Sequence, residues 1–387
     1  MKNKTSLIKC AATIAALLCS IQMSTRAITV VDAQNKQPIS TAAVFNNKGS
    51  IIGFTDADGF YSAGNPSDFP LNIQCLGYEY GKATSNDMTV EMAQRAYKLP
   101  EVTVKPESKD IMRVVCYHRT LETLKYEDKC NSGIEEGFFD IFIPLNEKLK
   151  KMKGLNKKRA LETHRYICFT KKNDTDSFAY NNKPGYMLEL ATETTGLKPD
   201  MDIVEPESLQ QLESGTASYY KKYYGTIVCT KTPQTFQTET DCIKEHIKPG
   251  KNCYSPNVLK SLGATTDFYK YTGKTIFRTN SKHSYGYQDI IISTCSFVMD
   301  FRGKWFKKML NTDDTIKLTG FDEVYLAEIE YYTAEEFTQI TSEKKIPPYS
   351  KSIPENVQPL DPAQQRIVDR CNEIRKLQKD MPTDKKE

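Results

Sequence analysis

The stretch 28–105 constrains the fold more than any other part of the chain, because short apolar segments alternate there with residues that favour turns. In 28–32, apolar and polar residues alternate as in a half-buried strand, and the turn-forming run 35–38 follows. The same pattern predicts further strands at 42–45, 51–54, 60–62, 71–75, 88–92 and 101–104. About seven short strands in a stretch of this length are typical of a β-sandwich.

An acidic turn separates two of these predicted strands. Asp56 and Asp58 can accept hydrogen bonds from nearby backbone amides, and Gly59 can adopt a positive φ. These three residues are therefore predicted to form a structural turn. A calcium site is the alternative, but the loop lacks the later carboxylate ligands of an EF-hand.

Several short motifs in this stretch carry a resemblance to a known family: Gln37-Pro38-Ile39, Ala43-Val44, Thr55-Asp56-Ala57-Asp58-Gly59-Phe60, Gly77-Tyr78 and Leu99-Pro100-Glu101-Val102-Thr103-Val104. Together they make about a fifth of the chain similar to the carboxypeptidase-regulatory-like domain. The resemblance implies a transthyretin-like, non-catalytic module, which in Bacteroidota often precedes other domains of exported proteins, including outer-membrane transporters that import glycans. The polar insert 64–70 departs from the family pattern.

The first 27 residues read as a secretory signal peptide. Basic residues precede the apolar run 11–18, and small residues stand before the end of the segment at Ala27. Export to the periplasm, or association with the outer membrane, is therefore expected. Lipidation at Cys19 is a less favoured alternative, because Leu18 precedes it where a small residue is expected. No later stretch approaches the ~20 apolar residues of a membrane helix.

The charge balance argues against nucleic acid as a partner. Removing the signal peptide removes four of the 53 basic residues and no acidic residue, which leaves 49 Lys and Arg against 49 Asp and Glu. A neutral chain without a sustained basic face has little electrostatic attraction for phosphate.

Composition divides the remainder into three parts. The charged run 105–110 ends the first unit, and 106–346 is predicted to be a larger α+β domain rich in antiparallel strands, of unknown function. Within it, a helix is predicted to start after Thr333, with Glu336 completing a capping box. The segment 347–361 reads as a Pro-rich linker.

The last part, 362–387, is predicted to be an amphipathic helix and a short tail. Asp361 precedes Pro362 as an N-cap precedes a first helical residue, and the helix should run to about Asp380. An apolar stripe recurs at helical spacing: Ile367, Cys371, Ile374 and Leu377. Docking of this stripe on the chain's own second domain is favoured over binding of another chain.

Cysteine usage suits an oxidising compartment but leaves the pairing open. Without the signal peptide, nine of the 11 cysteines remain, so at least one thiol lacks an intramolecular partner. Disulfide candidates are Cys229, Cys242 and Cys253, which lie close in sequence. With His246 they could instead hold zinc, but no CxxC pair fixes such a geometry, so no metal is predicted.

No catalytic motif is present. Neither HExxH nor HxxE occurs, and no GxSxG elbow, P-loop or dinucleotide fingerprint is found. The four histidines stand apart and are interpreted as surface or hydrogen-bonded core residues: His118, His164, His246 and His283. Adjacent carboxylates such as Glu135-Glu136 are candidates for glycoside hydrolysis by residue type only.

Aromatic clustering is the remaining functional hint. Tyr219, Tyr220, Tyr223 and Tyr224 present flat apolar faces with polar edges, which suit sugar or peptide contacts as well as half-buried strands. The sequence therefore predicts a non-catalytic binding or assembly protein of the cell envelope that needs no cofactor. In this interpretation the sandwich is a docking or spacer module, and the second domain contacts protein or glycan. The alternative is an unrecognised hydrolase that acts on envelope glycan or peptide.

Overall fold

The computed structural model describes most of the chain: residues 27–98, 109–170, 176–182, 203–221, 225–247, 264–303, 307–308 and 311–380. The described part consists mostly of antiparallel β-sheet, with a few short helices and one long helix near its C-terminal end. This confirms the predicted β-rich architecture with a C-terminal helix. Nearly all of the predicted signal peptide and the predicted strand at 101–104 lie outside the described residues.

Seven short strands form the first unit: β1 (Ala27–Asp32), β2 (Ala43–Phe45), β3 (Ile51–Phe54), β4 (Phe60–Ser62), β5 (Leu71–Gln74), β6 (Gly81–Ala83) and β7 (Thr89–Met92). They make a three-stranded sheet of order β4-β1-β7 and a four-stranded sheet of order β3-β2-β5-β6. Side chains of both sheets share one core, in which Val30 and Val90 meet Val44 and Ile73.

Six of the predicted strands match β1–β5 and β7 to within one residue. The described strand that the sequence did not predict is β6, which contains only Gly81, Lys82 and Ala83. None of these residues favours a strand by itself, and pairing with β5 decides their conformation.

Ten longer strands form one antiparallel sheet of order β11-β10-β9-β8-β19-β18-β16-β15-β14-β13. Their bounds are β8 (Ile111–Tyr126), β9 (Lys129–Pro144), β10 (Lys158–Thr170), β11 (Asp176–Asn181), β13 (Gly215–Lys221), β14 (Gly225–Lys231), β15 (Thr235–Ile247), β16 (Ala264–Arg278), β18 (Ile290–Gly303) and β19 (Ile316–Tyr332). A separate two-stranded ladder joins β12 (Ile203–Val204) to β17 (Ser284–Tyr285).

The region is richer in strand than the sequence pattern indicated. Periodicity left 121–126 and 137–144 open between helix and strand, and both segments lie in the hairpin of β8 and β9. Most residues of these two strands are buried on both faces, so their apolar runs do not alternate cleanly. The segment 146–152 is rich in residues that favour helix, but it forms only a 3₁₀ turn over Glu147–Leu149.

The described α-helices are α1 (Glu207–Gln210), α2 (Ala334–Ser342) and α3 (Pro362–Asp380). The predicted capping box of α2 is confirmed, since the Glu336 amide donates to Thr333 Oγ1 at 3.2 Å and Glu336 Oε2 accepts from the Thr333 amide at 2.6 Å. Two further 3₁₀ turns cover Pro66–Asp68 and Tyr287–Asp289. Within the described residues, no helix combines the length and apolarity needed to cross a membrane.

Helix α3 packs on the chain itself. Asp361 Oδ1 accepts from the Ala363 amide at 2.7 Å, which places the helix start where the sequence predicted it. Ile367 and Cys371 are buried against residues of β10 such as Tyr166, and Phe45 of β2 belongs to the same cluster. The helix therefore contacts both the ten-stranded sheet and the first unit.

The Pro-rich segment 347–361, which is neither helix nor strand, is held by buried arginines. Arg113 donates to the carbonyl of Pro348 at 3.0 Å, and Arg119 donates to the carbonyl of Gln358 at 2.8 Å. Arg119 also pairs with Glu323 at 2.6 Å. These bonds fix the segment along the face of the sheet that meets the first unit.

Candidate functional site

The acidic turn predicted from the sequence is built by one carboxylate and one glycine. Asp56 Oδ1 accepts from the backbone amides of Asp58 at 3.0 Å and Phe60 at 2.9 Å. Gly59 has a φ of +73°, and a Cβ atom there would lie 2.4 Å from the Val30 carbonyl oxygen. Among the described residues, no three His, Cys, Asp or Glu side chains are close enough to hold one metal ion.

This turn leads into an open groove on the outer face of the three-stranded sheet. Its volume is about 490 Å³, and its lining is Ala27, Thr29, Asp56, Phe60, Ser62, Asp87, Met88 and Thr89. The strand register explains why these side chains meet. Thr29 on β1 faces Phe60 on β4 and Thr89 on β7, while Ala27 faces Ser62.

The groove offers a mixed surface. Ala27 and Thr29 on the central strand are small, and the Phe60 side chain beside them is 47% exposed. Within the described part of the chain, the hydroxyls of Thr29, Ser62 and Thr89 have no protein partner. The only sequence signal for the groove was an aromatic residue at the outward position of a predicted strand, since Phe60 and Tyr61 point to opposite sides.

The predicted tyrosine surface is not assembled by its described members. Tyr219 faces the core of the ten-stranded sheet, and burial raises its pKa to about 12. Tyr220 points to the opposite side and is 74% exposed. Successive strand residues alternate between the two faces, so this pair does not share one surface. Tyr223 and Tyr224 lie outside the described residues.

The cysteine candidates are partly described. Cys229 is a buried thiol on β14 without a disulfide to any described cysteine, and burial raises its pKa to about 12. The side chain of Cys242 and all of Cys253 lie outside the description, so the disulfide and its connectivity stay a prediction. A protonated, buried thiol is unreactive towards oxidants and metals.

A buried carboxylate that the sequence analysis did not single out lies at Glu205, between β12 and α1. Glu205 Oε2 accepts from the Tyr285 hydroxyl at 2.9 Å and lies 3.0 Å from His283 Nδ1, while Oε1 lies 2.6 Å from Lys231 Nζ. Burial alone would raise the pKa of Glu205, but the bonds from Lys231, His283 and Tyr285 outweigh it and lower the pKa. No spacing in the sequence connects these four positions.

The other described histidines differ from one another. His164 is bonded through Nδ1 to the Tyr180 hydroxyl at 2.8 Å and through Nε2 to Glu162 at 3.0 Å, in agreement with the interpretation of a hydrogen-bonded residue. His118 departs from that interpretation, because both its ring nitrogens are buried without a hydrogen-bond partner. Burial lowers the pKa of His118 to about 4.

His118 belongs to a polar row on one face of the ten-stranded sheet, formed by His118, Thr120, Thr163 and Asp322. The register places Thr120 beside Asp322 on β19, and His118 two positions along β8. All four side chains are buried, and none makes a hydrogen bond of good geometry with a described residue. Burial raises the pKa of Asp322 well above the ordinary range. Each side chain of the row is at most 5% exposed, so the row is closed to solvent.

Comparison with known proteins adds little to this picture. No family model and no curated protein matches the chain. One solved structure with similarity is titled "Lipid-protein interactions in lipovitellin"; the match covers 59% of this chain and 26% of that chain, with 8% identity and a TM-score of 0.28. The chain thus spans about a quarter of the length of that protein. At this level of similarity, no property of that protein transfers to this chain.

Proposed function

We propose that this chain is an exported, non-catalytic binding or assembly protein of the cell envelope, periplasmic or associated with the outer membrane. The first unit is the docking module, and the larger unit holds it and contributes contacts to protein or glycan. The first unit is proposed to be a transthyretin-like β-sandwich of the carboxypeptidase-regulatory-like kind. The shared core of its two sheets and its acidic turn support this assignment.

The groove over β1, β4 and β7 is the observation that carries the proposal. It combines an exposed aromatic ring with unpartnered hydroxyls, and it lies on a sheet whose other face is a packed core. A partner that covered the groove would bury this ring and could bond to these hydroxyls. Its two carboxylates, Asp56 and Asp87, precede β4 and β7, the two strands that flank β1.

A crosslinking experiment tests this function in the envelope. A photoreactive amino acid replaces Ser62 in the groove, and in a matched control it replaces Val204, which is exposed on the larger unit. We expect a discrete crosslinked envelope component from position 62 and a weaker or different pattern from position 204. Identical patterns, or no product from position 62, would contradict the proposal.

The second candidate function, a hydrolase acting on envelope glycan or peptide, is favoured by the contact between His283 and Glu205. A histidine oriented by a buried carboxylate resembles the base of a catalytic triad. Glu205 also binds Lys231 of β14 and Tyr285 of β17. A purely structural role, in which the carboxylate holds these strands together, explains the same contacts. Cleavage of a glycan or peptide panel by the purified chain, lost in Glu205→Gln, would establish the hydrolase instead.

A further inference from the structure

The charge of the groove restricts what it binds. Two of its eight lining residues, Asp56 and Asp87, carry carboxylates, and none of the eight is basic. Asp56 uses Oδ1 within its turn, which leaves Oδ2 as a free acceptor. The Asp87 side chain has no hydrogen bond or ion pair among the described residues. The groove is therefore rich in acceptors and negative.

We propose that this groove binds an extended, lysine- or arginine-bearing segment of a partner protein. This inference rests on the proposed binding function and names its partner class. The basic groups pair with Asp56 and Asp87 on the two sides of β1. Between them, an ammonium or guanidinium group can lie over the exposed Phe60 ring, and its aliphatic stem can cover Met88.

The shape of the groove favours a protein segment over a small cation. Small ligands are held in concave pockets that bury most of their surface. This groove is open, and Thr29 of β1 lies at its centre between side chains of β4 and β7. It spans three strands, which at the usual strand spacing is roughly 10 Å. An extended segment of about three residues covers that distance.

Fluorescence polarisation with labelled peptides tests the inference on the full exported chain. The probes are the basic peptide Lys-Val-Lys-Val-Lys, the acidic peptide Glu-Val-Glu-Val-Glu and a neutral hexamer of N-acetylglucosamine. We expect the basic peptide alone to bind, with an affinity that falls several-fold between 0.05 and 0.5 M salt. Asp87→Asn should weaken binding at least about fivefold, because it removes a charge-assisted partner.

The matched control is Asp58→Asn. It makes the same change of net charge, and Asp58 is exposed in the same turn as Asp56 without lining the groove. We expect its affinity for the basic peptide to fall clearly less than that of Asp87→Asn, since Asp58 does not line the groove and its exposed charge is partly screened. Circular dichroism should show both variants folded, because both side chains are exposed.

Equal losses in Asp87→Asn and Asp58→Asn would overturn the inference, because general attraction to an acidic chain would explain them. Equal binding of the acidic peptide would do the same. If the neutral hexamer binds instead, and Phe60→Ser abolishes that binding, the partner class is wrong while the proposed binding function stands. If no probe binds and position 62 yields no crosslink, both proposals fail.

Discussion

His118 and Asp322 lie on neighbouring strands, and burial shifts their pKa values in opposite directions. Among the described residues, His118 is buried without a hydrogen-bond partner and Asp322 without one of good geometry, and an unpartnered buried group costs about 1–3 kcal/mol. Folding favours the neutral form of both side chains. His118 therefore disfavours the folded state in acid, whereas Asp322 disfavours it as the solution becomes neutral.

The first prediction concerns His118→Leu. The pKa of His118 falls from 6.5 in the unfolded chain to about 4 in the folded chain, so the unfolded chain binds an extra proton between these values. Through this difference, the free energy of unfolding is at its highest above pH 6.5. It decreases by about 3 kcal/mol as the pH falls to about 4. Urea unfolding from pH 4 to 7 should show that His118→Leu loses less stability in acid than the wild type. Parallel pH profiles would contradict this.

The second prediction, for Asp322→Asn, has the opposite sign. Burial raises the pKa of Asp322, so the unfolded chain releases its proton above pH 3.8 before the folded chain does. The stability contributed by the protonated form is therefore lost as the pH rises from 3.8 towards the folded-state pKa. The stability of Asp322→Asn relative to the wild type should increase from pH 4 to pH 7 in urea unfolding. The exposed control Asp58→Asn should show no such increase.

At the scale of one element, helix α3 separates the predicted stripe into buried and exposed members. Ile367 is 1% exposed within the cluster formed with β2 and β10, whereas Leu377, on the same predicted stripe, is 66% exposed. The sequence pattern identified the apolar side of the helix. It did not reveal that the helix extends beyond the surface on which it docks.

The third prediction uses this contrast. Ile367→Ala should lower the free energy of unfolding by about 2–5 kcal/mol, because it removes buried methyl groups and leaves a cavity. Leu377→Ala is the matched control on the same helix, and it should change stability by less than about 0.5 kcal/mol. Thermal and urea unfolding measure both values. Similar losses in the two variants would show that the helix docks along its whole length.

For the whole molecule, Arg119 and Glu323 form the buried joint between its parts. Arg119 lies on β8, Glu323 lies on β19 and also accepts from Gln74 of the first unit at 3.0 Å, and Arg119 binds the carbonyl of Gln358. Four segments distant in sequence thus meet at one ion pair. This joint couples the first unit to the ten-stranded sheet.

The fourth prediction tests how strongly Arg119 and Glu323 stabilise each other. Arg119→Met should destabilise the protein by about 3–5 kcal/mol, because it leaves the Glu323 carboxylate buried without its cation. The double variant Arg119→Met/Glu323→Gln should recover part of this loss, because the uncompensated charge is gone. A double-mutant cycle from urea unfolding gives the coupling energy. Additive single effects would show that Arg119 and Glu323 do not stabilise each other.

Local pattern determined much of the fold. Alternation and turn residues located six of the seven described strands of the first unit, and the capping residues Thr333 and Asp361 located the starts of two helices. These features depend on neighbours within a few positions, which the sequence shows directly. The three residues of β6 were missed because their conformation depends on pairing with β5.

The functional surface was decided by tertiary structure. The groove exists because β4 and β7 flank β1 in one register, which sets Phe60 and Thr89 on either side of Thr29. The polar row and the Arg119 joint likewise join strands and segments that lie far apart in the chain. Sequence alone thus determined which segments form strands and helices. Packing decided which side chains meet, because cross-strand register and burial depend on the whole chain.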